Sequence, residues 1–524
     1  MIRIRDIQMP PDHNEHQLLF EAARALKISG SKIRKLRLVR RSIDARKKPD
    51  VKLIYTVDIS VEGNEEKIIR QSGCKRATVA PKTFYRLPKA VSEKRPVVVG
   101  FGPAGMFAAL VLAMAGLRPI VLERGEDAQR RHEKVERFFA TGQLDPKSNV
   151  QFGEGGAGTF SDGKLNTGVN DARIGWILEQ FVAAGAREAS RFDAKPHVGT
   201  DVLLTVVQNI RKKIISLGGE FRFNTQVTGL HRENGALTGL VIDGGDVVDC
   251  DRAILAIGHS ARDTFQMLLD SGFPLEPKPF SMGVRSAHPE SVIDMAQYGC
   301  ENPALPPADY KLVRHLDQKT VYTFCMCPGG HVVAAASEEG RVVTNGMSYA
   351  DRDGENANAA LLVTLNPVDF PYEGVLGGVQ WQREIEETAF RIGGGGYRAP
   401  AQLVGDFLEG KPSSGAGSVQ PTYRPGVTWC DLHEVLPAQI TGPLAQAIQE
   451  LDRNLKGFAR ADAVLTAPET RSSSPVRIIR DESRQCALRG LYPAGEGAGY
   501  AGGIMSAAID GMRSAECLIE SLEG

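Results

Sequence analysis

A glycine-rich turn between two apolar segments is the feature that most constrains how this chain can fold. Residues 96–125 read PVVVGFGPAGMFAALVLAMAGLRPIVLERG, which predicts a strand, a GxGxxG turn, an apolar helix and a second strand. Gly100 permits the tight turn, Gly102 lets the backbone approach a pyrophosphate, and Gly105 lets the helix pack closely on the sheet. Glu123 ends the second strand, where its carboxylate can accept hydrogen bonds from a ribose. The segment therefore predicts a βαβ unit that binds a dinucleotide, with the phosphates at the helix N-terminus.

Two later segments resemble parts of the glutathione-reductase-type FAD fold. CDRAILAIGHSA at 250–261 resembles the strand and glycine that stand between the two flavin motifs of that fold. GLYPAGEGAGYAGGIMSAAIDGM at 490–512 resembles the second flavin motif, in which an acidic residue binds the ribityl chain and the next helix faces the ring. Here Glu496 stands where that fold most often has Asp. Three such segments in the right order imply FAD, rather than NAD, as the tightly bound nucleotide.

A third glycine-rich segment, QFGEGGAGTFSDGKLNTG at 151–168, can bring backbone amides and hydroxyls against a pyrophosphate or a flavin ring. Lys164 is the candidate for a cation near the ring, where it would stabilise the reduced form. The alternative is a surface loop with a solvated Lys164. We predict FAD as the cofactor and leave NAD(P)H open as a transient reductant. The predicted cofactor-binding residues are Gly100, Gly102, Pro103, Ala104, Gly105, Glu123, Arg124, Gly155, Gly156, Ser161, Asp162, Lys164, Val227, Ala256, Gly258, Gly495, Glu496, Gly502 and Gly503.

The charge of the chain is unevenly distributed. Residues 1–95 hold 23 Lys and Arg against 11 Asp and Glu, whereas the remainder holds 40 against 52. The alternation of apolar residues in this first part predicts a βαββαβ unit, the order of a ferredoxin-like sandwich. Residues 24–48 contain eleven basic residues and one acidic residue, Asp44. This basic stretch is either a nucleic-acid patch or a solvated face docked on the acidic remainder, and the absence of interleaved aromatic residues favours the second.

We predict an α/β chain with a three-layer Rossmann-like FAD-binding domain, an inserted α+β substrate domain and the N-terminal ferredoxin-like βαββαβ domain. The composition, with 42% apolar and 24% charged residues, is that of a globular protein and excludes a fibrous or wholly disordered chain. A Pro-flanked linker is expected at 81–96. The predicted divisions are the ferredoxin-like domain at 1–92, the FAD-binding domain at 93–280 and 470–524, and the inserted domain at 281–469.

The cysteine pattern argues against a metal site and against a disulfide framework. The eight Cys are scattered, and the one close pair is Cys325 and Cys327. On a strand this spacing puts both thiols on one face. They would then be core residues or part of a pocket wall, which we favour, or a redox pair beside the flavin. No apolar segment has the length of a membrane span, and residues 1–16 contain no apolar core of a signal peptide, so we expect a cytoplasmic protein without a membrane partner. The catalytic residues are not determined, and the weak candidates are Lys164, Cys325, Cys327, Arg285 and His288, with Arg471 as a further substrate-site residue.

The whole chain resembles a bacterial family of largely uncharacterised FAD-dependent dehydrogenases, also called NAD(P)/FAD-dependent oxidoreductases, with an N-terminal ferredoxin-like domain. The marks are SIDARKK (42–48), VVVGFGPAGMFAA, GEGGAGTFSDGKLNT, FCMCPGGHVV (324–333) and the Gly-Glu turn at 495–496. One departure is VRSAHP at 284–289, where the family would have an acidic residue before His288. The resemblance implies a flavoprotein oxidoreductase that transfers hydride or electrons between FAD and a small molecule. Alternatives are a flavin monooxygenase, an RNA-associated flavoprotein and a non-catalytic FAD-binding protein.

Overall fold

The computed structural model describes residues 1–81 and 85–522, so residues 82–84 of the predicted linker and 523–524 lie outside the described residues. The N-terminal part contains β1 (Ile2–Met9), α1 (Glu15–Ala25), β2 (Ile33–Asp44), β3 (Lys52–Val61), α2 (Glu65–Ser72) and β4 (Ala77–Val79). Its strands form one antiparallel sheet in the order β2-β3-β1-β4. This is the predicted ferredoxin-like arrangement.

Local sequence explains where the first helix begins. The Asn14 side chain accepts the N–H of Gln17, and the Gln17 side chain accepts the N–H of Asn14. This reciprocal cap satisfies two amide groups that the first turn of a helix leaves unpaired. Leu18 and Ala22 then face the sheet and are buried. The helix therefore lies on one face of the sheet and leaves the other face uncovered by α1.

The first part of the nucleotide-binding fold alternates helices and strands. Its elements are β5 (Val97–Val99), α3 (Pro103–Met114), β6 (Ile120–Leu122), α4 (Ala128–Thr141), α5 (Arg173–Ala183), α6 (Thr200–Ser216), β7 (Glu220–Arg222), β8 (Val227–Glu233), β9 (Ala236–Ile242), β10 (Asp246–Asp249), β11 (Ala253–Leu255) and α7 (Arg262–Asp270). β8, β9 and β10 form a separate antiparallel sheet.

The inserted part is built around a large sheet. Its elements are β12 (Leu275–Pro277), β13 (Phe280–Pro289), α8 (Glu290–Tyr298), β14 (Val313–His315), β15 (Thr320–Cys327), β16 (His331–Ala334), β17 (Thr344–Met347), β18 (Asn356–Leu365), α9 (Gly377–Ile392), β19 (Ala399–Leu403), α10 (Val404–Glu409), β20 (Val427–Trp429), α11 (Ala438–Leu451) and β21 (Val464–Glu469). Seven strands pair in the order β14-β15-β18-β13-β21-β19-β20. We call these strands the inserted sheet.

The C-terminal segment completes the nucleotide-binding fold with β22 (Val476–Ile478), β23 (Leu491–Pro493) and α12 (Ile504–Glu520). β23 joins a five-stranded parallel sheet in the order β23-β11-β5-β6-β7. α12 packs on α3 so closely that a Cβ on Gly511 would lie 2.0 Å from the carbonyl oxygen of Ala104. α3 is buried on all sides, which explains why its sequence is apolar throughout. The Rossmann-like prediction is confirmed, and the C-terminal segment lies beside the first glycine-rich turn.

Candidate functional site

A cavity of about 620 Å³ lies where the parallel sheet, the glycine-rich loop at 151–168 and the inserted sheet meet. Its volume is in the range of small-molecule and cofactor sites. Residues that follow the carboxyl ends of β5, β6 and β11 form one side, and residues of β15, β17 and β21 form the other. Ligands of open parallel sheets bind at that end of the strands. The cavity is therefore the candidate site, and it extends from the glycine-rich turn to the inserted sheet.

The glycines of the first turn divide into those that line the cavity and one that lies behind it. Gly100 and Gly102 line the cavity, together with Pro103 and Ala104, whereas Gly105 is not among the described lining residues. A Cβ on Gly105 would lie 1.9 Å from the carbonyl oxygen of Gly100, so only glycine allows this close packing of helix on strand. A Cβ on Gly102 would meet nothing nearer than a Gly156 Cα at 3.7 Å. The space beside Gly102 belongs to the cavity.

Glu123 holds the carboxyl end of the sheet together. Its side chain is buried, and its two oxygens accept the backbone N–H groups of Phe101, Gly125 and Gly153 at 2.8, 3.0 and 3.1 Å. A carboxylate offers about four acceptor positions, so these three bonds leave one of them, and Glu123 lines the cavity. The residue thus fixes the turn and the 151–168 loop relative to each other.

The 151–168 loop packs against the first turn through its glycines. Gly156 has a φ of +63°, and a Cβ there would lie 2.8 Å from the Cα of Gly102. Gly155 donates its N–H to the Phe101 carbonyl and lies behind the cavity wall, where a Cβ would clash with the Thr159 hydroxyl at 2.1 Å. Ser161, Asp162 and Lys164 line the cavity beyond this contact.

The second flavin-like segment contributes Glu496 and the start of α12 to the wall. Gly502 and Gly503 line the cavity with open space at both Cβ positions, and Gly503 caps the helix. The Glu496 Oε1 lies 3.6 Å from the Nδ1 of His259, which also lines the cavity. Gly495 lies behind the wall, where its N–H is bound by Asp510 and a Cβ would lie 2.6 Å from that of Ala104.

The predicted cofactor residues therefore come together at one cavity. All of them line it except Gly105, Gly155 and Gly495, which lie directly behind the wall. The lining residues include Arg124 after β6, Val227 at the start of β8, and Ala256 and Gly258 after β11. Backbone positions with room for a ligand, a carboxylate at the ribose end and a helix N-terminus fit an extended dinucleotide.

Lys164 and Asp162 meet residues of the inserted part. Lys164 Nζ donates to the carbonyl of Met326. The buried Asp162 forms a two-contact ion pair with Arg352, and both residues line the cavity. Burial alone acts against the charged carboxylate, but the Arg352 guanidinium outweighs it and lowers the pKa of Asp162. These contacts connect the glycine-rich loop to the inserted sheet.

The prediction that Cys325 and Cys327 share a strand face is wrong. β15 is irregular between Phe324 and Cys327 in its pairing with β18, and Cys325 has a φ of +42°. This irregularity breaks the period-two alternation, so the Cys325 thiol is exposed to the cavity while Cys327 is buried. The surrounding protein shields the Cys325 thiol from bulk water, which disfavours the thiolate and raises the pKa of the thiol to about 12. The positive charge of Arg285 opposes this shift. Both thiols form part of the cavity wall.

Arg285 and His288 are not among the described lining residues. Arg285 is fully buried behind the wall and pairs with Glu469, which does line the cavity. Burial alone disfavours the guanidinium, but the Glu469 carboxylate outweighs it and raises the pKa of Arg285. His288 is buried with its Nε2 2.8 Å from the Phe458 carbonyl, and burial lowers its pKa to about 4. His288 is a core residue in this structure.

Sequence reasoning missed a buried charge cluster beside the cavity. Glu386 lies between Arg262 and Arg471 and contacts each of them through two hydrogen bonds. Burial acts against the Glu386 carboxylate, but the two guanidinium groups outweigh it and hold its pKa well below the usual range. Arg471 lines the cavity, as do two residues that we did not predict, Tyr310 and Asn345. Arg471 was named as a candidate from the sequence, but Arg262, Glu386, Tyr310 and Asn345 stand in no motif, and their polar sequence surroundings do not distinguish them from surface residues.

The described residues contain neither a metal-binding group nor a membrane-spanning helix. Within residues 1–81 and 85–522, no group of three or more His, Cys, Asp or Glu residues is placed to hold a metal ion. Among the helices of the same residues, none combines the length and the apolar character that crossing a bilayer requires.

Comparison with known proteins identifies the family. Residues 279–472 match the family described as FAD-dependent protein, C-terminal domain-like, and residues 1–60 match a domain of unknown function. An uncharacterised protein of Clostridium beijerinckii is 46% identical over 530 residues, which span 100% of this chain and 99% of that protein. The chain therefore belongs to the same family of FAD-dependent proteins as this relative. Its cofactor is FAD, as the sequence predicted.

Several solved flavoproteins are similar to this chain at low sequence identity and low TM-score. CtdE in complex with FAD is 12% identical, with a TM-score of 0.32 over 82% of this chain and 85% of that chain. The flavin-dependent brominase Bmp2 is 12% identical, with a TM-score of 0.38 over 82% and 80%. Glycine oxidase from Bacillus cereus is 12% identical, with a TM-score of 0.31 over 82% and 95%.

Proposed function

We propose that this flavoprotein is an oxidoreductase of the dehydrogenase or reductase type, which transfers hydride or electrons between FAD and a small molecule. The observation that carries the proposal is the continuity of the cavity. It begins at the glycine-rich turn and continues to an inner end with polar and charged side chains. These are Lys164 of the 151–168 loop, Asn345 and Glu469 of the inserted part, and Arg471 just after it. A site that only stored FAD would not need this second, polar end.

The assignment of cofactor contacts follows from the same wall. We propose that Glu123 binds the adenosine ribose, that Gly100 and Gly102 admit the pyrophosphate, and that Glu496 binds the ribityl chain. The flavin ring would then lie near Lys164 and the start of α12. FAD supplies the hydride or electron transfer, and the protein positions it and adjusts its charge.

Lys164 is the residue to which we assign an influence on the reaction. A cation beside a ring that gains negative charge on reduction makes reduction easier. We therefore expect Lys164→Met to retain FAD and to lower its midpoint potential. Lys195→Met is the matched control, because Lys195 also lines the cavity but is paired with Asp309. An equal effect of the two substitutions on the potential would contradict the role of Lys164.

The Cys325 and Cys327 thiols are assigned to the wall of the site rather than to a redox relay. A raised pKa keeps a thiol protonated, and the thiolate is the form that exchanges with disulfides. We also propose that the protein has the three predicted domains: the ferredoxin-like domain at 1–92, the FAD-binding domain at 93–280 and 470–524, and the inserted domain at 281–469.

The test of the function is an anaerobic screen of metabolite fractions and of NADH and NADPH with the purified yellow protein. The loss of the visible flavin absorbance identifies a reductant. If dithionite bleaches the flavin but no metabolite fraction or nicotinamide cofactor does so, the oxidoreductase proposal is contradicted. A substrate that is reduced by the pre-reduced protein would support it equally.

A further inference from the structure

The N-terminal sheet has one face that no helix covers, and its residues follow from the strand register. In β3, the apolar residues Leu53, Tyr55, Val57, Ile59 and Val61 are buried toward the helices. The residues between them point to the opposite side, because side chains alternate along a strand. Their partners on the neighbouring strands share that side. We call this surface the open face, and its charged members are Arg3, Lys35, Arg37, Arg40, Asp44, Lys52 and Asp58.

The open face is positively charged and accessible. Lys35, Arg37 and Arg40 are all exposed to solvent. Lys35 and Arg40 have no carboxylate partner within the described part of the chain, and they flank Arg37 on the edge strand β2. Residues two apart on a strand are separated by about 7 Å, so one extended ligand can meet several of these cations at once.

The two acidic residues of the open face are already neutralised. Asp58 is fully buried and is bound by Arg3 and Arg37 at 2.7 Å each. Asp44 is bound by Arg46, which adds another cation to the same strand end. The carboxylates therefore position basic side chains and leave the surface with a net positive charge.

Docking on the rest of the molecule accounts for only one edge of the basic stretch. Arg41 pairs with Asp193, and its backbone pairs with residues 192–194. Lys48 donates to the carbonyl of Ala296. Lys35 and Arg40 stay exposed beside this contact. The hypothesis of a face docked on the acidic body therefore does not explain the open face.

We infer that the open face binds the phosphate backbone of a single-stranded nucleic acid. A protein partner fits poorly, because interfaces between proteins have an apolar or aromatic centre and Ile54 is the one large apolar residue among the register-assigned positions of this face. A flat four-stranded sheet is a surface on which single strands are bound, whereas duplex grooves admit a helix or ribbon. No aromatic residue occupies those register positions, so the affinity comes from charge and carries little base preference.

The experiment measures binding of fluorescein-labelled 20-nucleotide oligo(U), oligo(dT) and a 20-base-pair DNA duplex to the full-length FAD-loaded protein by anisotropy. Contacts to three or four phosphates predict a log–log salt slope of about −2 to −3 for single strands. Raising the salt fourfold, from about 50 to 200 mM, should then weaken binding roughly 15- to 60-fold. Equal binding of the two single strands indicates recognition of the shared backbone, and stronger binding of oligo(U) indicates an added contact to the 2′-hydroxyl.

The decisive variant is Lys35→Glu/Arg40→Glu, which leaves Arg37 and its buried partner Asp58 intact. We expect at least about tenfold weaker binding and a salt slope that is shallower by about 1.4, since each lost contact contributes about 0.7. The matched control is Lys212→Glu/Lys213→Glu, which makes the same charge change on exposed residues of α6. Unchanged circular dichroism and urea-unfolding curves, together with an unchanged flavin spectrum, show that each variant is folded in both the N-terminal unit and the FAD-binding part. No binding by the unmodified protein at low salt, an equal loss in the control, or tighter binding of the duplex than of both single strands would overturn the inference.

Discussion

The two ends of the cavity are built in different ways. The nucleotide end is formed by backbone atoms. Its glycines have no Cβ that could clash with neighbouring backbone or fill the cavity, and the Glu123 carboxylate accepts three backbone N–H groups. The inner end is formed around buried ion pairs whose members are far apart in the chain. Arg262 and Glu386 are 124 residues apart, Arg285 and Glu469 are 184 apart, and Asp162 and Arg352 are 190 apart.

This difference determines how each end can fail. A backbone site fails when a side chain fills the space that the ligand needs, and the fold can survive that change. A buried ion pair fails when one partner is removed, because the other charge is left without water or a counterion. Substitutions at the nucleotide end should therefore affect FAD binding, and substitutions at the inner end should affect stability first.

The largest effect is expected from Glu386→Gln. The substitution leaves the buried Arg262 and Arg471 with only Glu338 as an acidic partner. We expect the free energy of unfolding to fall by about 3–5 kcal/mol, as measured by urea denaturation. Glu387→Gln in the same helix is the control, because Glu387 is half-exposed and its loss should cost less than about 1 kcal/mol. Equal effects of the two substitutions would remove the contrast between buried and exposed pairs.

The corresponding test of the nucleotide end is Gly102→Val. The φ of Gly102 is −75° and a Cβ there has ordinary contacts, so the fold accepts a side chain, which then occupies the space beside the turn. We expect the affinity for FAD to fall at least about 100-fold, or about 2.7 kcal/mol, with stability of the apo-protein retained. Gly105→Val should instead prevent folding, because its Cβ would overlap the Gly100 carbonyl. A Gly102→Val protein that retains full FAD would contradict the placement of the pyrophosphate.

The same contrast explains what the sequence could predict. The glycine turns, Glu123 and Glu496 stand in short segments whose residue spacing predicts a particular backbone conformation, and these residues lie at the cavity. Asp162 and Arg285 were named as candidates, but their partners Arg352 and Glu469 were not, because pairing over such separations is decided by the tertiary fold. The Cys325 and Cys327 prediction failed because residue spacing does not reveal where a strand departs from regular pairing. The parallel sheet and the ferredoxin-like unit were predictable because both follow from local periodicity.

A smaller effect at the nucleotide end is expected from Glu496→Ala. Loss of a charge-assisted hydrogen bond to the ribityl chain should weaken FAD binding by roughly 1.5–3 kcal/mol, or about ten- to a hundredfold. Titration of the apo-protein with FAD measures it. Glu496→Asp should bind FAD almost as well, and Glu482→Ala, on an exposed turn, should not change the affinity. An unchanged affinity in Glu496→Ala would mean that the second flavin-like segment does not hold the cofactor.

The smallest effect tests a buried carboxylate that forms no ion pair among the described residues. Glu290 is buried, and its Oε2 accepts the N–H of Gly329 while Oε1 has no partner in the described residues. Burial raises the pKa of Glu290 to about 8 from an ordinary value of 4.5, the opposite direction from Glu386. Between these two values the folded protein retains a proton that the unfolded chain has lost, so stability falls as the pH rises.

We therefore expect the free energy of unfolding to decrease by about 1 kcal/mol between pH 6 and pH 7 through this group. Glu290→Gln carries no charge at either pH, so it should lose this part of the pH dependence and should gain stability relative to the unmodified protein as the pH rises toward 8. Urea unfolding at pH 5, 6, 7 and 8 measures the difference. Glu301→Gln removes an exposed carboxylate nearby in the chain and should leave the pH profile unchanged. Parallel profiles for Glu290→Gln and the unmodified protein would mean that Glu290 stays ionised in the fold, so that buried carboxylates of the inserted part do not need the arginine partners that Glu386 has.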